Sequence, residues 1–281
     1  MGDLTRILSL GAGVQSTALY LMAIEGEFKT PPTQAIFADT QWEPAEVYRH
    51  LDNLEKIGGD VLPIHRVTVG NLKQDVLNAI DGTRPHLSTP PFYVRVSGDE
   101  SNKKGMTPDP GGMLWRRCTA DYKIRPIQKK MREILGYKPR QRIKKNVQQW
   151  LGISLDEATR MKDSRVDWID NYYPLIERRL TRTDCLKWIE KRGYSTPRKS
   201  ACIACPYHSN HYWVDMKKNH PDEWADAVEF DHSLRKGHLP GVTGLAYVHR
   251  SFFPLEEAVR RDHNPDQLRM FEQECEGMCG V

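Results

Sequence analysis

The chain of 281 residues has no apolar run long enough to cross a bilayer, and nothing at its start reads as a signal peptide. Membrane-spanning roles are therefore not expected, and a cytoplasmic, reducing setting is. In that setting six cysteines do not make a disulfide framework, which leaves metal binding or thiol chemistry as their use. Charge of neither sign dominates. The 41 Lys and Arg against 37 Asp and Glu leave +4, which permits a nucleic acid or an anionic small molecule as partner and demands neither. Two phosphate-binding signatures are missing: the glycine-rich turn near residue 12 has no Gly-Lys-Ser/Thr ending, and it lacks the third glycine of a dinucleotide fingerprint. A second close Cys-x-x-Cys pair is also missing, and with it the strongest pattern for zinc.

What is present is organised around Ile7-Leu8-Ser9-Leu10-Gly11-Ala12-Gly13-Val14-Gln15-Ser16-Thr17-Ala18-Leu19. This reads as a short buried strand, a tight turn and a helix. Gly11 and Gly13 are expected to supply positive φ and close backbone approach, so that several N–H groups converge on one anion. Ser16 and Thr17 fall in the first helical turn, where unpaired N–H groups and the positive end of the dipole face the same point.

Further along, Thr33–Ala38 reads as a second buried strand that delivers Asp39 and Thr40 to its carboxyl end, the edge at which open α/β sheets bind ligands. Asp39 there suits a ribose hydroxyl or a magnesium ion, and suits a helix cap equally. Pro44–Ile57 is an amphipathic helix closed by Gly58-Gly59, and Val61–Val69 a third strand, which makes βαβαβ and a parallel sheet. From Thr83 to Gly112 no periodicity persists, and a mobile cover over the ligand edge is expected. A basic helix runs to Leu135, a run dense in Lys and Arg spans Lys138–Lys145, and a strand spans Gln148–Ser154. Thr183 or Asp184 is expected to cap a helix that stops at Gly193, and His211–Leu234 reads as helical. The organisation expected is a nucleotide-binding α/β domain over 1–165 and a helical, cysteine-bearing region over 166–281.

Several segments carry a resemblance. Leu10–Thr17 is similar, in relaxed form, to the Ser-Gly-Gly-x-x-Ser pyrophosphate loop of the ATP pyrophosphatase superfamily. Trp115–Ile127 resembles the Cys-Thr-x-x-x-Lys-x-x-Pro segment of the phosphoadenylylsulfate reductase family and of the DNA phosphorothioation sulfurtransferases. In it Arg116, Arg117, Lys123 and Arg125 suit phosphate or sulfate, and a solvated helix start is the plainer reading. Gly152-Ile153-Ser154-Leu155-Asp156-Glu157-Ala158-Thr159-Arg160 resembles the strand-loop segment in which a glycine, a carboxylate and an arginine border the nucleotide; Glu157 and Arg160 also suit a surface ion pair.

What the resemblance implies is an adenine nucleotide α-hydrolase-like fold: α/β, a doubly wound, mostly parallel sheet. Ser9, Gly11, Ala12, Gly13, Gln15, Ser16, Thr17, Asp39, Thr40, Arg117, Lys123, Gly152, Glu157 and Arg160 would bind ATP with Mg2+, or an adenylylsulfate. Cys202-x-x-Cys205-Pro206 offers two thiolates on one turn, and with Cys118 and Cys185 would complete an iron–sulfur cluster. A structural zinc on Cys185, Cys202, Cys205 and His208 or His211, a dithiol, and plain buried thiols are the alternatives. The tail Glu274-Cys275-Glu276-Gly277-Met278-Cys279 is similar to the Glu-Cys-Gly tail that carries the reductase nucleophile, with a second cysteine added. Either tail cysteine suits a sulfur-carrying nucleophile, a fourth cluster ligand in place of Cys118, or a thiol of no function. Catalytic roles are expected at Cys275, Cys279 and Asp39. The activity expected is ATP-dependent adenylation linked to sulfur transfer onto a nucleic acid or small molecule. Thiol-dependent reduction of an adenylylsulfate is the alternative enzyme, and a regulatory or defence module that binds nucleotide without turnover is the alternative class. A sulfur- or electron-donor protein and a second copy of the chain are the other partners expected.

Overall fold

The computed structural model describes residues 4–83, 89–95, 111–144, 146–237 and 239–261. In chain order the elements are β1 (Thr5–Ser9), α1 (Val14–Ile24), β2 (Gln34–Asp39), α2 (Ala45–Gly58), β3 (Ile64–Thr68), α3 (Leu72–Ile80), β4 (Tyr93–Arg95) and β5 (Gly111–Met113). There follow a π-helical turn (Thr119–Ile124) continuous with α4 (Arg125–Ile134), then β6 (Val147–Leu151), a 3-10 turn (Leu155–Arg160), β7 (Ile169–Tyr172) and α5 (Pro174–Glu177). The last described elements are α6 (Arg182–Lys191), α7 (Asn210–Asn219), α8 (Pro221–Lys236), β8 (Leu245–Tyr247) and α9 (Leu255–Arg261). None of the described helices is long and apolar enough to cross a membrane.

Two compact units are interleaved in the sequence. Among the described residues, the first takes those up to Val69 and Thr119–Ala201; the second takes Gly70–Cys118 and those from Cys202 to Arg261. This differs from a division at 165/166, because β6 and β7 pair with each other across that position and belong to one sheet.

The first unit is a five-stranded, wholly parallel sheet in the order β3-β2-β1-β6-β7. Successive residues of a strand point to opposite faces, and both faces are apolar. Leu8, Ala35, Phe37 and Trp150 pack under α1, α2 and α6. Ile7, Ile36, Ala38 and Val147 pack with Ile127 and Met131 of α4 and with Ile169. The sheet is therefore doubly wound, as expected, and its order reverses between β1 and β6. Helix α6 begins at a capping box: Thr181 Oγ1 accepts from Asp184 N (3.2 Å), and Asp184 Oδ2 accepts from Thr181 N (2.9 Å). The cap is thus Thr181, two residues before the earliest expected.

In the second unit β5-β4-β8 form an antiparallel sheet, with α3, α7, α8 and α9 as the described helices. Phe92 meets Phe230 of α8 at 5.8 Å between centroids. The buried Asp231 carboxylate accepts from Val248 N (3.0 Å) and Leu255 N (2.9 Å) and pairs with Arg235 (2.8 Å). The expected helix over 211–234 is two helices, divided at His220-Pro221 because proline cannot donate into the preceding turn. The expected structureless stretch 83–112 contains β4 and the start of β5; 84–88 and 96–110 lie outside the described residues.

Candidate functional site

The strand ends of the first unit gather buried polar side chains. At the exit of β1, Leu10 N still donates to Ile36 O (2.9 Å), and the chain then turns sharply into α1. The residue in the left-handed region is Ala12, at φ 59°, whereas Gly13 is extended at φ −90°, ψ −178°. The positive φ expected of Gly11 and Gly13 is therefore carried by Ala12 between them. Ser16 Oγ fastens the turn, accepting from Gly11 N (3.2 Å) and donating to Gly13 O (3.3 Å). No side chain caps α1, although every residue from Val14 to Ala23 is buried. A buried helix start whose N–H groups have no capping side chain is a place for an anion.

Across the switch in strand order, the chain leaving β6 lies directly on this helix start. A Cβ on Gly152 would stand 2.8 Å from both Ser16 N and Ser16 Cα, and 3.1 Å from Gln15 C. Only glycine allows that approach. Gln15 Nε2 donates to Ser154 Oγ (3.4 Å) and to Glu157 Oε2 (3.1 Å), and Glu157 Oε1 in turn takes Arg160 Nη1 at 2.5 Å. Gln15 Oε1 is buried with no hydrogen-bond partner among the described residues. An acceptor in that state calls for a donor from a ligand or from water.

At the exit of β2, Asp39 Oδ1 accepts from Gln41 N (2.7 Å) and from Tyr48 Oη (2.9 Å), which fixes a turn in which Gln41 sits at φ 56°. Burial, with the nearby carboxylates of Asp39 and Glu43, holds the Tyr48 phenol well above its ordinary range, so it stays a donor. Glu43, its side chain fully buried, lies 3.5 Å from Lys123 Nζ and from Thr40 Oγ1, and accepts from Ser200 Oγ (3.3 Å). Behind α1, Thr17 Oγ1 meets His50 Nε2 at 2.9 Å, and burial pushes the His50 imidazole down to about 4, which keeps it neutral near pH 7. His50 also lines a cavity of about 410 Å3, with Glu46, Arg49 and Asn53 of α2 on one side and Ser195–Arg198 on the other.

Ser9, Gly11, Ala12, Gly13, Gln15, Ser16, Thr17, Asp39, Thr40, Lys123, Gly152, Glu157 and Arg160 thus all belong to the first unit, at or beside its strand ends. Lys123 is engaged with Glu43. The expected group of Arg116, Arg117, Lys123 and Arg125 is divided: Arg125 pairs with Asp121, and Arg116 and Arg117 are exposed residues of the second unit.

The four-cysteine set is not assembled among the described residues, where no group of three or more His, Cys, Asp or Glu side chains is placed to hold a metal ion. Cys185, on α6, is fully buried in the apolar core of the first unit with Leu175 and Ile189. Cys118, Cys202 and Cys205 belong to the second unit, where His208 Nε2 is bonded to Cys202 O (2.9 Å) and its ring stacks on Tyr212. Cys275 and Cys279 lie outside the described residues. The sequence reading weighed Glu43 only as a helix cap and assigned no site role to Tyr48, His50, Ser154 or Ser200. A signal existed for one of them: Glu43 follows Asp39 by four residues, beside a strand end.

No protein-family model and no curated protein matches this chain. Among solved structures it is similar to the phosphoadenylyl-sulfate (PAPS) reductase from Candida auris, in a phosphate complex: 15% identity, 70% of this chain and 76% of that one covered, and a TM-score of 0.36.

Proposed function

We propose that the strand ends of the first unit bind the phosphates of an adenine nucleotide, and that the chain carries out ATP-dependent adenylation linked to sulfur transfer. The observation that carries the phosphate reading is the β1–α1 turn, a buried helix start without a side-chain cap, held by Ser16 and walled by Gly152. In adenylation an acceptor oxygen attacks the α-phosphorus, the bond to the bridging oxygen breaks, and pyrophosphate leaves with the electron pair. The N–H groups of the turn stabilise the charge that builds on the departing group. Magnesium would neutralise further charge there. Asp39 fits that ion, because its two hydrogen bonds among the described residues fall on Oδ1 and none on Oδ2.

Sulfur chemistry is supported by the resemblance of the segments around Gly11, Cys118 and Gly152, and by the paired tail cysteines, of which one thiol can carry a persulfide and the other resolve it. Among the described residues no group of three or more ligands is placed to hold an iron–sulfur cluster. A second reading, thiol attack on an adenylylsulfate with release of sulfite, is favoured by Glu274-Cys275-Glu276-Gly277 and uses the same turn for sulfate.

Incubation with ATP and magnesium, with AMP and pyrophosphate quantified, tests the first reading. Product is expected from the parent chain, and none from a folded Gly13→Val variant. Sulfite from phosphoadenylylsulfate with thioredoxin, and no pyrophosphate from ATP, would replace it with the second. Unchanged affinity of Gly13→Val for both nucleotides would overturn the phosphate assignment itself.

A further inference from the structure

The positive charge of the chain is concentrated in one place. Residues 129–144 hold seven Lys or Arg against a single Glu, an excess greater than the +4 of the whole chain. The stretch belongs to the first unit and runs from the second half of α4 to the approach of β6. β6 starts at Val147 and ends beside Gly152, so the loop before it lies at the other end of that strand from the nucleotide site, about 16 Å away for five residues at about 3.3 Å each.

The loop is held by its own backbone. Helix α4 is closed by Gly136 at φ 78°, with Gly136 N donating to Glu133 O (2.9 Å) and Tyr137 N to Arg132 O (3.0 Å). Lys138-Pro139-Arg140-Gln141 then form a β-turn, in which Gln141 N donates to Lys138 O (3.2 Å) and Gln141 Oε1 accepts from Lys138 N (3.0 Å). Arg132 Nη2 donates to Lys138 O (2.8 Å) and to Gln141 O (2.6 Å). Lys144 N donates to Tyr137 Oη (3.1 Å), which draws the two ends of the loop together. Proline at the second position and a positive φ at the third is the type II pattern, which favours glycine third. The residue there is Arg140, at φ 65°.

The cations of this loop are left outward. Lys138, Arg140, Arg142 and Lys144 are all exposed, and none of their side chains makes an ion pair or hydrogen bond among the described residues, whereas Lys130 of α4 is paired with Glu133 at 3.6 Å. Residues 138–144 include no aromatic ring and no exposed large apolar side chain. Protein interfaces are anchored by such side chains, so the loop suits a partner whose anionic charge is dense and regular. We propose that it binds the phosphate backbone of double-stranded nucleic acid, as an anchor separate from the nucleotide site. A duplex carries one charge per about 1.7 Å of its axis, and a loop with no ring to stack on a base gains nothing from a single strand. Contacts of this kind fix position without reading sequence. The proposal rests on the loop alone and stands or falls apart from nucleotide turnover at the strand ends.

The test is fluorescence anisotropy of the full chain with a fluorescein-labelled DNA duplex of about twenty base pairs, at about 50 mM salt, where a Kd tighter than about 100 μM is expected, with weaker binding of either single strand. Arg142→Gln with Lys144→Gln is expected to weaken binding about tenfold or more and to flatten the plot of log K against log salt by about 1.8, at roughly 0.9 for each phosphate that is no longer neutralised. Lys187→Gln with Lys191→Gln removes the same charge from exposed positions of α6, which packs on the other face of the sheet, and should leave the slope unchanged. Arg140→Gly should raise the urea midpoint, by relieving the positive φ, and yet weaken duplex binding, a combination that a purely structural residue would not give. Circular dichroism should match the parent in each case, because these side chains lie at the surface. No anisotropy change up to about 100 μM, equal flattening by the two double variants, or tighter association with phosphatidylserine vesicles than with duplex would overturn the proposal.

Discussion

Replacing Gly152 with alanine adds one methyl group against a backbone that cannot swing aside. The new Cβ would begin 2.8 Å from Ser16 N and Cα, and ordinary contact starts near 3.4 Å, so the β6 exit and the start of α1 must separate by about half an ångström. Overpacking of this kind costs about 1–3 kcal/mol. For a folded body of about 150 residues that lowers Tm by roughly 2–12 °C. The strain falls on the helix turn whose N–H groups are assigned to phosphate, so ATP affinity should fall about tenfold or more as well. Gly112→Ala is the matched control, because its Cβ would meet nothing within 4 Å. Scanning calorimetry gives Tm, and isothermal titration with ATP and magnesium gives the affinity. A Gly152→Ala chain that melts within about a degree of the parent and binds ATP equally well would refute the account of how β6 walls the turn.

Other outcomes follow from the same strand ends. Ala12→Gly should raise stability by up to about 1 kcal/mol in denaturant titration, since glycine holds φ 59° without the Cβ penalty; a loss of that size would mean that the Ala12 methyl packs more than the turn strains. Lys123→Met leaves Glu43 charged and buried without its cation, at a cost of about 3–5 kcal/mol, and an unchanged urea midpoint would contradict the pairing. His50 is neutral in the folded chain down to about pH 4, while the unfolded chain takes up its proton near pH 6.5. Folding stability is therefore whole above pH 6.5 and lost as pH falls toward 4, by something of the order of 2 kcal/mol for this half-buried ring. His50→Gln should flatten that part of the profile in urea titrations at pH 7 and 4.5, and an equal acid loss in both chains would assign it to other groups.

The central sheet was legible because parallel strands covered on both faces need runs that are almost wholly apolar, as Ile7–Leu10, interrupted by Ser9 alone, and Ala35–Ala38 are. Edge strand β7, Ile169-Asp170-Asn171-Tyr172, carries no such run and was not foreseen. Nor were β4, β5 and β8, three residues each and too short to show alternation. The β1–α1 turn was found by its glycines, yet the strained residue is Ala12, because the approach that demands glycine comes from Gly152, far away in sequence. Cys185 was grouped with other cysteines by chemistry, while its spacing of four from Ile189 placed it on the buried stripe of α6, next to apolar neighbours. Glu43 and Ser200 meet across the fold, and no local pattern joins residues so far apart in sequence.

The interleaved order of the two units has a consequence during synthesis. Thr5 of β1 pairs with Val147 of β6, so the strand that opens the sheet waits for one made well over a hundred residues later, at least about seven seconds on the ribosome. Until then the nascent chain presents β1, β2 and β3 with one edge of β1 unpaired, and the turn after β1 stands without Gly152 against it. Chains released before Gly152 emerges should thus be retained poorly on immobilised ATP, and capture from a translation reaction stopped at successive lengths would show when the nucleotide site closes.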